Sequence, residues 1–314
     1  MTFSAQDAYS LCNWLDTAPS LPPPTDPSGW HSIFVPKFNN GNYAVVLENL
    51  ADTHQLAIVI QGTKDAWQML NDFDINHPAS FVNSKGVAII PGAMIANGAT
   101  TALNNVLNLA DGGGQTLEQS LSGMNWSNYS VLITGHSLGG TITSVMAPWL
   151  ASLILKQAPL TQPLPSQIQA VTFAAFAAGN QQFASYLDSS SQYQPNVNMN
   201  DIVPYVWATS GTYSVDHIYT TFPSPGPAIP ESIKIGLGTK VATIPKGFNY
   251  VQTNEPSTFV GVVVQAPPFS QCPTKEQPTL QWEWEVSLQH NYAYCMNYIG
   301  SGCSQPNSTK CLSS

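Results

Sequence analysis

The chain has 314 residues, a net charge of −9 and only nine Lys and Arg residues. So few basic residues exclude the clustered positive charge that neutralises phosphates, which argues against a nucleic-acid partner and against docking on an anionic membrane. Apolar residues make up 43% of the sequence and the mean hydropathy is −0.05, values typical of a globular protein with a large core.

The sequence shows no membrane or export segment. The longest apolar stretch, residues 141–155, is too short to span a bilayer and contains Pro148. Residues 1–17 lack the basic and apolar regions of a signal peptide. We therefore expect no transmembrane segment. The protein is expected to be secreted, its leader absent from this chain, with a cytoplasmic location as the alternative.

Four of the five cysteines lie near the C-terminal end of the chain, at Cys272, Cys295, Cys303 and Cys311, and Cys12 stands alone. Four cysteines allow three pairings, and the sequence does not choose among them. A zinc site is the alternative, but the chain has neither a Cys-X-X-Cys pair nor paired histidines. The cluster therefore predicts disulfide bonds, an oxidising compartment and no metal.

Short β-rich runs alternate with helical patterns along the chain. A first helix precedes a Pro-rich loop at residues 21–27. The helical pattern over residues 99–110 is amphipathic, whereas that over 141–155 is apolar nearly all round, as in a helix buried against a sheet. The predicted strands cover residues 43–48, 56–61, 87–90, 131–134, 169–176 and 258–265. This alternation predicts one α/β domain over residues 1–314, with a central, mostly parallel sheet flanked by helices.

One motif carries the chemistry: residues 135–140 form Gly-His-Ser-Leu-Gly-Gly between a β-rich run and the apolar helix. A strand, a Gly-X-Ser-X-Gly turn and a helix together are the context of a nucleophile elbow. The sharp turn exposes the serine Oγ, and the helix N-terminus favours the negative charge that develops in acyl transfer. Ser137 is therefore the predicted nucleophile. Because consecutive side chains point apart at such a turn, His136 is expected to pack or orient rather than act as the base.

A nucleophilic serine needs a base, which in this arrangement follows an orienting acid along the chain. Two histidines follow Ser137, namely His217 and His290. His217 lies in a run, residues 213–222, that alternates like a strand, where a histidine is more often structural. His290 is predicted on a loop just before a helix, a common place for catalytic groups. The pattern favours His290 as the base and keeps His217 as the alternative.

The acids between Ser137 and His217 are Asp188, Asp201 and Asp216. Asp216 is adjacent to His217, so their side chains diverge on a strand, and Asp188 is expected at a helix end. Asp201 follows a strand-like run and precedes a turn with a proline, where this kind of sheet delivers its acid. Asp201 is therefore the predicted orienting acid.

Several segments resemble the fungal-type (class 3) lipase family. Residues 135–140 match that family's nucleophile motif, and residues 171–184 are similar to its Thr-Phe…Gly-Asn…Phe-Ala segment. Residues 200–204 resemble its Asn-Asp-X-Val-Pro, which implies that Asp201 is the acid of the triad. The family's catalytic histidine opens a His-X-X-Tyr-like segment, which His290 matches, and His217 matches a non-catalytic histidine of the family. The interval from Asp201 to His290 is longer than in the family, which implies an insertion.

Upstream, residues 58–63 (Ile-Val-Ile-Gln-Gly-Thr) with Trp67 and Asp72 resemble the family's strand, Gly-Ser/Thr turn and following Trp and Asp. In that family the residue after the glycine supplies one N–H and its hydroxyl to the oxyanion hole. The resemblance therefore implies Thr63 as one donor and the N–H of Leu138 as the second. Gln61 stands where the family commonly has arginine.

The resemblance implies a serine carboxylic ester hydrolase with the α/β-hydrolase fold, above all a triacylglycerol lipase acting on lipid esters at an oil–water interface, without metal or cofactor. A phospholipase A1, a feruloyl-type esterase and a non-catalytic lipid-binding relative are the alternatives. An apolar flap that covers the site and contacts substrate is predicted at Trp67, Met69 and Leu70, opposite residues 93–96. The alternative is that these residues belong to the core. The oligomeric state is left open.

Overall fold

The computed structural model describes residues 3–37, 41–63, 73–208, 229–253, 257–262, 272 and 276–306. In these residues the strands are β1 (Trp30–Phe34), β2 (Ala44–Asn49), β3 (Gln55–Ile60), β4 (Ala79–Ser80), β5 (Met94–Ile95), β6 (Ser130–His136), β7 (Ile168–Phe173), β8 (Tyr193–Asn198) and β9 (Ser257–Phe259). A central sheet has the order β1-β2-β3-β6-β7-β8-β9, and β4 pairs with β5 apart from it. The first three strands of the central sheet pair antiparallel and the pairs from β3 to β9 are parallel. This confirms the predicted mostly parallel sheet.

The described helices are α1 (Ala5–Asp16), α2 (Asn97–Leu107), α3 (Leu117–Gly123), α4 (Leu138–Leu155), α5 (Gln181–Asp188), α6 (Glu231–Ala242), α7 (Gln277–Ser287) and α8 (Ala293–Tyr298). A π-helical turn, Leu288–Tyr292, joins α7 to α8. By length and composition alone, α4 is the one helix in the described part of the chain that would suffice to cross a membrane. Of this helix, 78% is buried inside the protein, as expected for a core helix.

Apolar layers cover both faces of the sheet. One layer contains α2 and α4, and the other contains α1 and α8 with the buried rings of Tyr9, Phe173 and Tyr294. All six residues of β3 are buried, as its continuous apolar run predicts for a strand covered on both faces. The parallel strands end at one edge of the sheet, so the loops that follow β3, β6 and β8 lie side by side there. That residues 1–314 form one domain stays a prediction.

Three predicted strands differ from the observed ones. The strand predicted over residues 258–265 ends at Phe259. Residues 87–90 are not a strand; Ala88 makes only an isolated bridge to Val82, and Val87 is exposed. Of these four residues only Ile89 and Ile90 are buried. Their side chains pack a loop against the core, and the segment does not pair with another strand. The strand predicted over residues 169–176 ends at Phe173, because Ala174 has φ +52° and leaves the extended conformation.

Candidate active site

Ser137 lies on a sharp turn between β6 and α4. Its φ of +58° and ψ of −124° fall where residues other than glycine are strained. A Cβ on Gly135 would collide with the backbone of Gly139, and a Cβ on Gly139 would collide with the carbonyl of Ile60. Both glycines are therefore needed for the strand, the turn and the helix to approach one another this closely. The backbone has the form that presents a serine Oγ at the sheet edge.

Asp201 and His290 form a buried pair at the same edge. Nδ1 of His290 lies 2.8 Å from Oδ2 of Asp201, and the two side chains are 1% and 0% exposed. The other carboxylate oxygen, Oδ1, accepts a hydrogen bond from the N–H of Val203 at 3.0 Å. Since a carboxylate accepts and does not donate, Nδ1 of His290 is the donor in this pair, and Nε2 is the ring nitrogen that can accept a proton when the ring is neutral.

Two reactive atoms at this edge have no hydrogen-bond partner among the described residues. They are Oγ of Ser137 and Nε2 of His290, and both are buried. A buried hydroxyl or imidazole nitrogen normally finds a partner, so each unsatisfied one needs an explanation. An unused hydroxyl and an unused imidazole acceptor are the two groups that a serine and its general base employ.

His290 lies in the π-helical turn, inside a helical segment that continues from α7 into α8. The prediction of a loop just before a helix is therefore wrong in its first part. A π turn adds one residue to a helical turn, and such turns are frequent at functional sites. The extra residue of the π turn rotates the side chains that follow it. The helix therefore continues while His290 points toward Asp201.

A buried amide cluster holds the acid and base segments together. Nδ2 of Asn198, at the end of β8, donates to the carbonyl O and to Oε1 of Gln289 at 2.8 and 2.9 Å. Nε2 of Gln289 donates to Val262 O at 2.7 Å. A Cβ on Gly261 would collide with the Gln289 and Asn198 amides. Sequence reasoning missed this cluster, because no spacing in the chain relates residue 198 to residue 289.

His136 contacts the base rather than the nucleophile. Its buried Nε2–H donates to the backbone carbonyl of His290 at 2.7 Å, and the two ring centroids are 4.7 Å apart. Burial is the main cause that holds the pKa of His136 well below its usual range, and repulsion from His290 when that ring is protonated lowers it further. His136 is therefore neutral, and these contacts agree with the expected packing or orienting role.

The proposed oxyanion donors flank the nucleophile. Ile60, the last residue of β3, pairs with Gly135 of the parallel strand β6, so the turn at Gly62 and Thr63 lies beside the elbow. Thr63 is half-buried. Leu138 is the first residue of α4, and the first N–H groups of a helix have no partner inside it. This brings both donors to the edge that holds Ser137, while their role stays a prediction.

Other predicted residues are placed elsewhere or not described. Trp67, Met69 and Leu70, which form the predicted flap, and the alternative base His217 lie outside the described residues. The segment predicted opposite the flap, residues 93–96, is part of the core: it forms β5, and Ala93, Ile95 and Ala96 are buried. For residues 93–96, the alternative that they belong to the core is therefore correct. Asp188 is the last residue of α5, as expected.

The cysteine cluster contains disulfides, as predicted. Cys295 is bonded to Cys303, which joins α8 to the segment after it. Cys272 is disulfide-bonded as well. Cys12, in α1, is buried and free. Within the described ranges, no group of three or more His, Cys, Asp or Glu side chains has the arrangement of a metal site.

Comparison with known sequences relates this chain to lipases. The family model described as Lipase (class 3) matches residues 57–210, the segment that includes Thr63, Ser137 and Asp201. Lipase ZK262.3 of Caenorhabditis elegans is 32% identical over 93 residues, which are 29% of this chain and 24% of that protein. The match thus spans about a quarter of the length of that curated relative.

Among solved structures, one that the chain matches well shows the same fold. The crystal structure of M37 lipase is 23% identical, with a TM-score of 0.63 over 86% of this chain and 78% of that chain. A triacylglycerol lipase from Penicillium expansum is 20% identical, with a TM-score of 0.45 over 68% of this chain and 78% of that one. The Rhizomucor miehei lipase–propeptide complex is 22% identical, with a TM-score of 0.43 over 56% and 51%. At such identities the likeness establishes the α/β-hydrolase fold alone, and M37 lipase carries that argument.

Proposed function

We propose that this chain is a serine hydrolase of the class 3 lipase family that cleaves carboxylic esters of lipids, and the match of residues 57–210 to that family's model supports this. One observation carries the proposal. In the buried His290–Asp201 pair, Nδ1 lies 2.8 Å from the carboxylate. Nε2 has no hydrogen-bond partner among the described residues, at the sheet edge where the strained Ser137 lies. Burial strengthens this pair, because the surrounding protein screens its charge less than water does.

In the acylation step, Oγ of Ser137 attacks the acyl carbonyl carbon of the ester while Nε2 of His290 takes the Oγ proton. Asp201 holds the imidazole tautomer and stabilises the imidazolium that forms. Collapse of the tetrahedral intermediate breaks the bond to the alcohol, which receives the proton from His290. Water, deprotonated by His290, then attacks the acyl-enzyme and releases the carboxylic acid and free Ser137.

The negative charge on the former carbonyl oxygen needs hydrogen-bond donors. The backbone N–H groups of Thr63 and Leu138 are the proposed pair, together with the Thr63 hydroxyl. Each such donor contributes about 3–4 kcal/mol to transition-state stabilisation in comparable sites. The N-terminus of α4 adds its partial positive charge beside Leu138. No residue in this mechanism requires a metal or cofactor.

The function is tested by labelling and mutation of the nucleophile. Wild-type protein is expected to take up a fluorophosphonate probe at Ser137 and to hydrolyse nitrophenyl butyrate. Ser137→Ala is expected to block labelling and to lower kcat by more than about a thousandfold, with an unchanged melting temperature. Activity of Ser137→Ala near that of the wild type contradicts the proposal, and a wild-type protein inert to both reagents supports the non-catalytic relative.

The substrate class is proposed from the family and from the charge of the chain. A triacylglycerol emulsion, a phosphatidylcholine emulsion and a feruloyl ester separate the lipase from a phospholipase A1 and a feruloyl-type esterase. We propose the lipase, acting on neutral lipid esters at an oil–water interface. The disulfide between Cys295 and Cys303 supports a secreted protein, since such bonds persist in oxidising compartments.

A further inference from the structure

We propose that Asp16, the last residue of α1, is a positioning residue that orients the turn at Gly62 and Thr63 for the oxyanion hole. The proposal rests on the proposed esterase function, which gives Thr63 its role. Oδ1 of Asp16 accepts a hydrogen bond from the backbone N–H of Gly62 at 2.9 Å. This bond fixes the peptide directly before the one that contains the Thr63 N–H, and so limits the directions in which that N–H can point.

A second hydrogen bond joins the same two segments. Nε2 of Gln61 donates to the carbonyl of Leu15, the residue before Asp16, at 3.2 Å. The end of α1 therefore holds two consecutive residues of the turn, one through its side chain and one through its backbone. Two bonds that act at neighbouring residues restrict rotation of the turn more than either bond alone.

The turn is also held from its other side by the strand that carries the nucleophile. A Cβ on Gly62 would lie 2.7 Å from the carbonyl oxygen of His136 and 3.5 Å from Oδ2 of Asp16. Only glycine fits between these two groups without displacing the backbone. The turn thus lies between Asp16 and the residue that precedes Ser137, so its position relative to the nucleophile depends on both neighbours.

The turn at Gly62 and Thr63 lies beside a cavity. A cavity of about 450 Å³ adjoins the turn, and Asp16, Gly62, Thr63 and His136 contribute to its lining. Among the described residues, a segment that faces a cavity has fewer neighbouring atoms on that side, so close packing contributes less to its orientation there. On that side, the hydrogen bonds from α1 contribute to fixing its orientation.

The location of Asp16 is unfavourable for the helix itself. The C-terminus of a helix carries partial negative charge, which disfavours a carboxylate in the last turn. The last turn of α1 has no basic residue to offset it. A carboxylate that destabilises its own helix is expected where a functional site needs it. The hydrogen bond from Gly62 to Asp16 is such a need.

The test compares Asp16→Ala with Asp16→Asn on nitrophenyl butyrate, a soluble ester. Asp16→Ala removes the acceptor, and we expect kcat to fall at least about tenfold while KM changes less than about twofold, because oxyanion donors act on the transition state. Asp16→Asn keeps an oxygen that can accept from Gly62, and kcat is expected to stay within about threefold of the wild type. A structural defect alone would not be rescued by the amide in this way.

Asp7→Ala is the matched control. Asp7 lies in the first turn of α1, where it forms a capping box with Ser4 and does not touch the turn at Gly62. Its loss is expected to lower the melting temperature and leave kcat unchanged. If Asp16→Ala does not fold, Gln61→Ala, which removes only the second bond, is expected to lower kcat severalfold, and an unchanged kcat in that variant overturns the proposal.

Three other results also overturn it: a wild-type kcat in Asp16→Ala, an Asp16→Asn variant as impaired as Asp16→Ala, or an equal loss of kcat in Asp7→Ala. A wild-type protein that cleaves no ester and takes up no fluorophosphonate overturns the proposed function together with this proposal. Because the wild type is assayed first, the two failures are distinguishable.

Discussion

Ser137 and His290 each have one polar atom without a hydrogen-bond partner among the described residues, and the two atoms are a donor and an acceptor. The serine offers a buried hydroxyl, and the histidine offers Nε2, because its Nδ1 is bound to Asp201 at 2.8 Å. Between the two candidate histidines of the sequence, only His290 lies in the described residues, and it lies against the acid that the sequence favoured. This contact supports the prediction, made from the sequence, that His290 is the base.

The variants His290→Ala and His217→Ala test that assignment. Members of a triad act as a unit, so His290→Ala should lower kcat about as much as Ser137→Ala, more than about a thousandfold. His217→Ala should leave kcat near the wild-type value and act mainly on stability. Initial rates on nitrophenyl butyrate, with melting temperatures measured alongside, decide between them. The reverse pattern would make His217 the base.

Among the elements, the amide cluster joins the end of β8 to the π turn. Asn198 donates twice to Gln289, the residue before His290, and Gln289 donates in turn to Val262. All three segments come from different parts of the chain. A helical turn with an extra residue is held in register by these bonds, so we expect the geometry of the base to depend on them.

Gly261→Ala is the variant that tests this dependence. Its methyl group would enter the space of the Gln289 and Asn198 amides, and overpacking of this kind costs about 1–3 kcal/mol. We expect a lower melting temperature and a kcat several times lower, since Gln289 must move together with His290. Both quantities can be followed by thermal unfolding and ester hydrolysis.

Gly238→Ala is the control for the same chemical change. Gly238 lies in α6, and a Cβ there would meet no atom within 4 Å. Alanine is favoured over glycine inside a helix by about 0.5–1 kcal/mol, so the melting temperature should rise slightly and kcat should stay constant. A Gly261→Ala variant that behaves like this control would show that the cluster does not position His290.

For the whole molecule, the net charge of −9 is the property that bears on the proposed substrate. A negatively charged protein is repelled by an anionic interface and is indifferent to a neutral one, and salt screens the repulsion over about 10 Å at 0.1 M. Adsorption to a lipid surface should therefore depend on the charge of that surface.

We accordingly expect hydrolysis of a neutral triacylglycerol emulsion to change little between 10 mM and 500 mM NaCl. Addition of an anionic lipid to the emulsion should slow the reaction at low salt, and high salt should restore the rate. Rates measured by titration of released acid test this, with soluble nitrophenyl butyrate as the control that has no interface. Faster hydrolysis of the anionic emulsion at low salt would contradict the expectation and indicate a local basic contact.

The elements that the sequence predicts well are those with local causes. The nucleophile turn can be predicted because its glycines, the strand before it and the helix after it occupy consecutive positions, 130–155. The buried strands β3 and β6 and the helix α4 are predicted from continuous apolar runs for the same reason. The candidate acid and base follow from chain order and from the family resemblance.

Only the tertiary structure decides which residues far apart in the chain come into contact. The contact of Asp201 with His290 joins positions 89 residues apart, and the bond from Asp16 to Gly62 joins positions 46 apart. The π turn at His290 has no signature in residue type, and its hydrogen bonds to Asn198 join segments far apart in the chain. Among the cysteines, the pairing of Cys295 with Cys303 is set by where α8 ends and the following chain returns. The sequence therefore determines which groups are available, whereas packing of distant segments determines which of them meet.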